Sequence, residues 1–278
     1  MTVSGLHDKI VLITGANNPL GIGAATARAF ARQGATIGLT YLRITPESRG
    51  LNASEVAQAT TPSLSFYHAM RTKSADDVIR SIRDLGGRAE AYEADLNDPA
   101  VIPQIFDWVE TVFGSVDVLV NNASHYDDSD TVFTTSVETL DRAFRVNMQA
   151  AVLLIAEFVR RYQRRNGHWG RIINLSTDAA QVFAGQIAYG ASKAAIEALT
   201  RSIAIEVGPL GITVNTVAPG PVQTGYISAT FVAQLVPTIP LRRIGQPDDI
   251  ADVIVFLASE QARWLTGQVI KVSGGHAL

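Results

Sequence analysis

Residues 9–33 read KIVLITGANNPLGIGAATARAFARQ. An aliphatic run ends at Thr14, glycines at 15, 21 and 23 bracket a turn, and small residues at 24–27 open a segment with helical spacing. Strand, turn and helix follow one another here, and the alternation recurs down the chain. Apolar runs predict strands at Lys9–Ile13, Ala35–Tyr41, Arg88–Glu93, Val116–Asn121, Arg171–Ser176, Ile212–Val217 and Gln268–Val272. Helix-patterned segments lie between them at Gly21–Gln33, Ala75–Leu85, Pro99–Phe113, Val137–Arg165, Ile187–Val207 and Pro247–Ala258, with Asp98-Pro99 and Gln246-Pro247 reading as helix starts. Parallel neighbours need crossover connections, so strands separated by helices specify a parallel sheet. The strands are apolar almost throughout, which fits a sheet with helices on both faces.

With 278 residues, 47% of them hydrophobic, the chain is long enough to bury one sizeable core, and no repeat or charge block marks a second domain. The expected fold class is α/β, a single doubly wound Rossmann-type domain with a seven-stranded parallel sheet over residues 1–278. A net charge of −3 offers no basic field to a polyanion, so nucleic acid is excluded as a partner. Without cysteine there is no disulfide framework, thiolate nucleophile or thiolate metal site, and a cytoplasmic setting suits the chain. No basic and apolar leader opens it, and no apolar stretch approaches the ~18 residues that cross a bilayer, so no membrane association is expected. One stretch breaks the rhythm: from Ile44 to Lys73 the polarity is mixed, with two prolines and no clean period. An irregular stretch of that length is usually functional or mobile.

Glycines in a strand-to-helix turn let the backbone approach a pyrophosphate, whose charge the amides and dipole at the helix start then meet. Such turns are common in α/β proteins, and this one gains meaning from its place after the first strand. Farther on, Tyr189-Gly-Ala-Ser-Lys193 sits near a predicted helix start, so its tyrosine and lysine share a face. A free tyrosine, with a pKa of about 10, is a poor base near neutral pH. A neighbouring ammonium favours phenolate, and moving that pKa by roughly three units takes about 4 kcal/mol of differential interaction. The pair makes chemical sense as an acid/base device, although taken without context the same spacing usually marks a surface pair.

Context reverses that weighting. Gly15, Gly21, Gly23, the run Asn121-Asn122-Ala123, Asn147, Ser176-Thr177, Tyr189, Lys193 and Asn215-Thr-Val-Ala-Pro-Gly220 occur in the order and spacing of short-chain dehydrogenase/reductases. The chain resembles that family over essentially its whole length. It looks most like members labelled 3-oxoacyl-[acyl-carrier-protein] reductases, through Arg243-Ile-Gly-Gln-Pro-Asp248 and Leu265-Thr-Gly-Gln268. The resemblance implies strand order 3-2-1-4-5-6-7, with the site at the C-terminal strand ends. It also implies hydride transfer between a nicotinamide dinucleotide and a small-molecule carbonyl or alcohol. Tyr189 would protonate the carbonyl oxygen, Lys193 would lower its pKa and hold the ribose, Asn147 would keep a water on the proton path, and Ser176 would orient the substrate oxygen. Implied cofactor contacts are Gly15, Asn17, Leu20, Gly21 and Ile22 in the turn, then Tyr41, Arg43, Asp95 and Leu96 after the second and third strands. Asn122, Ala123, Pro219, Gly220, Val222 and Thr224 complete that set, with Tyr189 and Lys193.

Several positions depart from the family pattern. Five residues separate Gly15 from Gly21 where three are usual, an expansion that bears on the pocket around the adenosine phosphates. Counting thirteen residues back from Tyr189 selects Ser176 as the hydroxyl donor, whereas counting forward from Asn174 selects Thr177. The gapless Gly185-Gln-Ile-Ala-Tyr189 favours Ser176. Ser124 stands where glycine is usual, and only a modest adjustment is expected there. Members preferring NAD usually carry an acid at the end of the second strand, where Leu39-Thr40-Tyr41-Leu42-Arg43 has none. Arg43 suits a 2′-phosphate, so the expected cofactor is NADPH/NADP with NADH/NAD as second choice. The bland alternative makes Arg43 a solvated loop residue. The 44–73 insertion leaves from the same corner, and either folds over the adenosine end or is a surface excursion.

The stretch Thr224–Leu241, with Phe231, Leu235, Val236 and Ile239, is where the family carries a mobile substrate lid, and its apolar content permits an acyl or other lipophilic substrate. His125 and Tyr126 are candidates for facing it. Arg160, Arg161, Arg164 and Arg165 offer a basic patch to an acidic carrier, or simply a solvated helix end. The histidines at 7, 68, 125, 168 and 276 have no ligand spacing, so no catalytic metal is expected. The resemblance implies a homo-oligomer, tetramer or dimer, through the helices at Val137–Arg165 and Ile187–Val207. Two rival readings are a catalytically silent dinucleotide-binding regulatory protein and an enoyl-thioester reductase. The joint presence of Asn147, Ser176, Tyr189 and Lys193 speaks against the first. Against the second, such reductases place six residues between tyrosine and lysine, and here there are three.

Overall fold

The apolar runs become strands in a computed structural model, which describes residues 4–47, 51–127, 130–178, 180 and 182–277. They are β1 (Ile10–Thr14), β2 (Thr36–Tyr41), β3 (Arg88–Glu93), β4 (Val118–Asn121), β5 (Gly170–Leu175), β6 (Ile212–Pro219) and β7 (Val269–Val272). All pair in parallel, in the order β3-β2-β1-β4-β5-β6-β7. That order reverses direction beside β1 and leaves a crevice between β1 and β4 at their C-terminal ends, where open α/β sheets take ligands. Strand bounds fall within two residues of the sequence reading.

Alternation of side chains explains why these strands read as continuous apolar runs. Val11 and Ile13 pack with Phe30, Ile82 and Ile254 on one face, while Leu12 between them joins Ile105, Phe106 and Phe158 on the other. Each such fully buried side chain stabilises the fold by roughly 1.5–3 kcal/mol. The covering helices are α1 (Ile22–Arg32), α2 (Ala53–Gln58), α3 (Leu64–Arg71), α4 (Asp76–Arg83), α5 (Val101–Val112), α6 (Val137–Phe144), α7 (Ala150–Arg164), α8 (Ile187–Val207), α9 (Ala229–Leu235) and α10 (Pro247–Ala258). No helix among the described residues is long and apolar enough to cross a membrane.

Three local differences separate the structure from the sequence reading. The single helix expected over Val137–Arg165 is interrupted by a π-turn at Arg145–Gln149, between α6 and α7. Asp98-Pro99 does not begin a helix: the Asp98 carboxylate accepts from the Ala100 amide at 2.9 Å in a side-chain turn, and α5 starts at Val101. The 44–73 insertion is not irregular throughout. It contains α2, capped by the Asn52 side chain, and α3, capped by the Ser63 hydroxyl; its residues 48–50 lie outside those described.

A buried polar ladder fixes α8 against the sheet. Asn121 donates to Asn174 at 2.9 Å, Asn174 donates to Thr200 at 3.1 Å, and the Thr200 and Thr216 hydroxyls lie 2.6 Å apart. These bonds join β4, β5, α8 and β6 in directional contacts that apolar packing does not provide. At the helix's other end the buried Asp130 carboxylate accepts from the Ala188 amide, meeting the positive end of α8 next to Tyr189.

Candidate active site

A cleft of about 700 Å³ opens over the C-terminal ends of β1, β4, β5 and β6. Its floor at β1 is the glycine turn. A Cβ at Gly15 would lie 2.6 Å from the Ala123 Cα, and one at Gly23 would lie 2.7 Å from the Asn122 Nδ2, so neither position accepts a side chain without movement. Asn122 clasps the turn by donating to the Thr14 and Gly15 carbonyls at 2.8 and 2.9 Å. Helix α1 begins at Ile22 with no side-chain cap and no acid in its first turn. Its leading amides are therefore left for a ligand, and their dipole favours an anion. A glycine floor, uncapped amides and a cleft within the ~300–1,000 Å³ of small-molecule sites fit a dinucleotide.

The expanded turn does more than shape the phosphate pocket. Asn17 donates to the Arg71 and Lys73 carbonyls at 3.0 and 2.8 Å, and Asn18 donates to the Thr224 carbonyl at 2.9 Å. One asparagine grips the insertion and the next grips the base of the 224–241 segment. The insertion reaches that base as well, because the Ser63 amide donates to the Gly225 carbonyl at 2.9 Å and Tyr67 meets Tyr226 edge-on at 6.1 Å. It thus lies over the cleft, contributing Leu64, Tyr67 and Arg71 to the lining. The insertion is therefore not a free surface excursion: it packs against the glycine turn and the base of the 224–241 segment.

Most residues nominated from the sequence meet here. Gly15, Asn17, Gly21 and Ile22 line the β1 end; Tyr41, Asp95 and Leu96 line the side beyond β2 and β3. Asn122, Ala123, Ser176 and Tyr189 line the middle, and Pro219, Gly220, Val222 and Thr224 the far wall. Leu20, at 44% exposure, and Arg43 are not part of this lining. Arg43 instead forks onto Glu93, with Nε 3.0 and 2.9 Å from the two carboxylate oxygens and a guanidinium nitrogen at 2.7 Å. That hydrogen bond holds the Glu93 carboxyl below the usual range. An acid therefore does stand at this corner, supplied by the neighbouring strand.

Asn147 and Lys193 sit just behind the cleft wall. The Asn147 amide donates to the His125 carbonyl at 2.8 Å and to the Ser192 hydroxyl at 2.9 Å, while its oxygen accepts from the His125 amide at 2.7 Å and the Ser124 hydroxyl at 3.3 Å. Its place in the π-turn matters, since such turns alter the carbonyl pairing of a helix and concentrate at functional sites. The Lys193 ammonium donates to the Leu175 carbonyl at 2.8 Å and lies 5.8 Å from the centre of the Tyr189 ring. Burial pushes this lysine down to about 8.

Tyr189 is wedged edge-on by Phe183 at 5.2 Å and Tyr126 at 6.5 Å. Burial pushes its phenol above the ordinary tyrosine value, nearby Tyr226 and Tyr67 add to the rise, and a hydrogen bond with Ser124 acts against it. The expected lowering by Lys193 is not present in the protein alone, because the desolvation of a phenolate here outweighs a lysine whose own charge is disfavoured. Ser124, set aside in the sequence, turns out to touch both the phenol and Asn147. The Ser176 hydroxyl is directed onto the Glu197 carboxylate at 2.7 Å and sits 3.4 Å from the Lys193 carbonyl, away from Tyr189. Thr177, the next residue, also lines the cleft and is half-buried.

A family profile described as Enoyl-(Acyl carrier protein) reductase matches residues 63–277. The chain is 36% identical over 276 residues to a short-chain type dehydrogenase/reductase of Picea abies, spanning 97% of this chain and 93% of that protein. It is 35% identical over 277 residues to NADPH-dependent aldehyde reductase 2, chloroplastic, of Arabidopsis thaliana, spanning 97% and 94% of the two. Among solved structures, a blue fluorescent protein from a metagenomic library in complex with NADPH superposes with a TM-score of 0.79 at 30% identity, over 98% of this chain and 99% of that one.

Proposed function

This chain belongs to the short-chain dehydrogenase/reductase family, and we propose from that premise that it reduces a free ketone or aldehyde with NADPH, Tyr189 giving the proton. The membership makes it an oxidoreductase acting on CH-OH or carbonyl groups. The observation that carries the finer reading is the Tyr189 phenol lining the cleft and hydrogen-bonded to Ser124, which is linked in turn to Asn147. A phenol held above its ordinary value stays protonated at neutral pH, which is the form a carbonyl reduction needs.

Bound over the glycine floor, the dinucleotide supplies the hydride, and the protein contributes orientation and electrostatics. Tyr189 donates its proton to the developing alkoxide oxygen. Ser124 and Asn147 hold the phenol's hydrogen-bonding side, and the π-turn keeps Asn147 against Ser192 of α8. Thr177 is proposed as the second donor to that oxygen, since the Ser176 hydroxyl is already directed onto Glu197. Lys193, tied to the Leu175 carbonyl, lies within reach of a ribose beside the phenol.

Preference for NADPH draws support from the NADPH-dependent relative and the NADPH-bound structure. A carbonyl rather than an enoyl substrate is supported by the three residues between Tyr189 and Lys193. A free rather than carrier-bound substrate is supported by the state of three of the four arginines at the end of α7: Arg161 pairs with Glu157, Glu110 and Asp107, Arg160 with Glu157, and Arg165 with Asp117. The test is turnover of aldehydes and ketones by wild type and Tyr189→Phe. Loss of a proton donor costs about 10²–10⁴-fold in kcat, with dinucleotide affinity kept; an unchanged rate sinks the mechanism. A homo-oligomer is also proposed, built on the outer face of α8, where Ile187 and Ile205 are 39% and 79% exposed. Light scattering is expected to return a dimer or tetramer mass, and a monomer at micromolar concentration refutes it.

A further inference from the structure

Resting on the cofactor reading above, we propose that Arg71, carried into the cleft by the 44–73 insertion, binds a phosphate of the dinucleotide. The cation that the second strand offers is compromised. Arg43 is chelated by Glu93 and stands outside the cleft lining, so a phosphate there would meet a guanidinium already paired with a carboxylate. Arg71 is different in each respect. It lines the cleft and is half-buried. Among the described residues no carboxylate pairs with it, and its guanidinium rests on the Tyr67 ring, 5.3 Å from the centroid.

Its position is fixed by three backbone bonds rather than by chance packing. The Arg71 carbonyl accepts from the Asn17 side chain at 3.0 Å and from the Ile44 amide at 3.2 Å, and the Lys73 carbonyl accepts from Asn17 at 2.8 Å. Arg71 is thereby held at the corner shared by the glycine turn and the end of β2, the two places from which phosphates of a dinucleotide are approached. Leu64, Tyr67 and Arg71 fall on one face of α3 and all line the cleft, so the helix lies along it with its arginine at the turn end. Tyr67 holds the guanidinium plane while leaving its N–H edge for an anion, the arrangement in which arginine grips phosphate through two parallel bonds. The two-residue expansion between Gly15 and Gly21 then has a purpose: it supplies Asn17, which anchors the insertion where its arginine can act.

Calorimetric titration of NADPH and NADH into wild type and Arg71→Gln, with melting of both proteins alone as a check on folding, tests this. At least a tenfold weaker Kd in the variant is expected. Loss for NADPH only assigns the 2′-phosphate, and equal loss for both assigns the pyrophosphate. Unchanged affinity for both, in a variant that melts like wild type, overturns the proposal while leaving the cofactor site intact. Wild type binding neither dinucleotide overturns the site reading and this proposal together. If Arg71→Gln does not fold, Arg71→Lys, which keeps the charge and loses the planar fork, is titrated instead. A Kd at least threefold weaker is expected, and an equal one overturns the assignment.

Discussion

Two adjacent hydroxyls, at 176 and 177, follow β5, and both residues line the cleft. Ser176 is committed to Glu197, so removing its hydroxyl is expected to change turnover by no more than a few-fold. If Thr177 is the donor proposed above, Thr177→Val is expected to cost about 10²–10³ in kcat. Steady-state kinetics of the two variants decides between them, and the reverse ranking restores Ser176 to the role. Lys193 allows a second residue-level prediction. Its folded value of about 8 lies below the ordinary 10.5, so between those limits the unfolded chain binds more protons and stability rises with pH. Below pH 8 both states hold the proton and the penalty is constant. The gap in denaturation midpoint between wild type and Lys193→Met should therefore shift in favour of wild type from pH 8 to 10, the ionisation of Tyr189 in the unfolded chain being common to both proteins. A gap that does not move shows that the ammonium is not desolvated as described.

At the scale of elements, α8 carries both Tyr189 and Lys193, so whatever seats its first turn sets the position of the proposed proton donor. Asp130 does so from 58 residues away, accepting from the Ala188 amide while the Ile187 amide bonds to its carbonyl at 2.9 Å. Asp130→Ala is expected to lower stability by about 1–2 kcal/mol in urea unfolding, and to lower kcat more than dinucleotide affinity. A variant that unfolds like wild type shows that the cap does not hold the helix. Asp130 was not legible in the sequence, because nothing local ties an isolated acid to a distant helix start. The π-turn at Arg145–Gln149 was hidden for another reason: its one-residue change of pitch leaves the apolar spacing of a helix almost unaltered. Helices α2 and α3 escaped because six and eight residues are too few to establish a period. The central strands β1, β4 and β5 were legible, since burial on both faces demands unbroken apolar runs. The Glu93 partner of Arg43 was not, because it arises from the pairing of Tyr41 with Glu93 across two strands.

Across the whole molecule, a parallel sheet follows from the βα alternation, and its strand order and cleft location from the family resemblance, whereas the roof over the cleft follows from neither. That roof is the insertion, and it is pinned at opposite ends: by Asn17 at the glycine turn and by Gly225 at the base of the 224–241 segment. A single short strap therefore bridges the glycine turn and the base of the 224–241 segment. Because one strap carries both anchors, a change at Asn17 is expected to be felt at Gly225 as well.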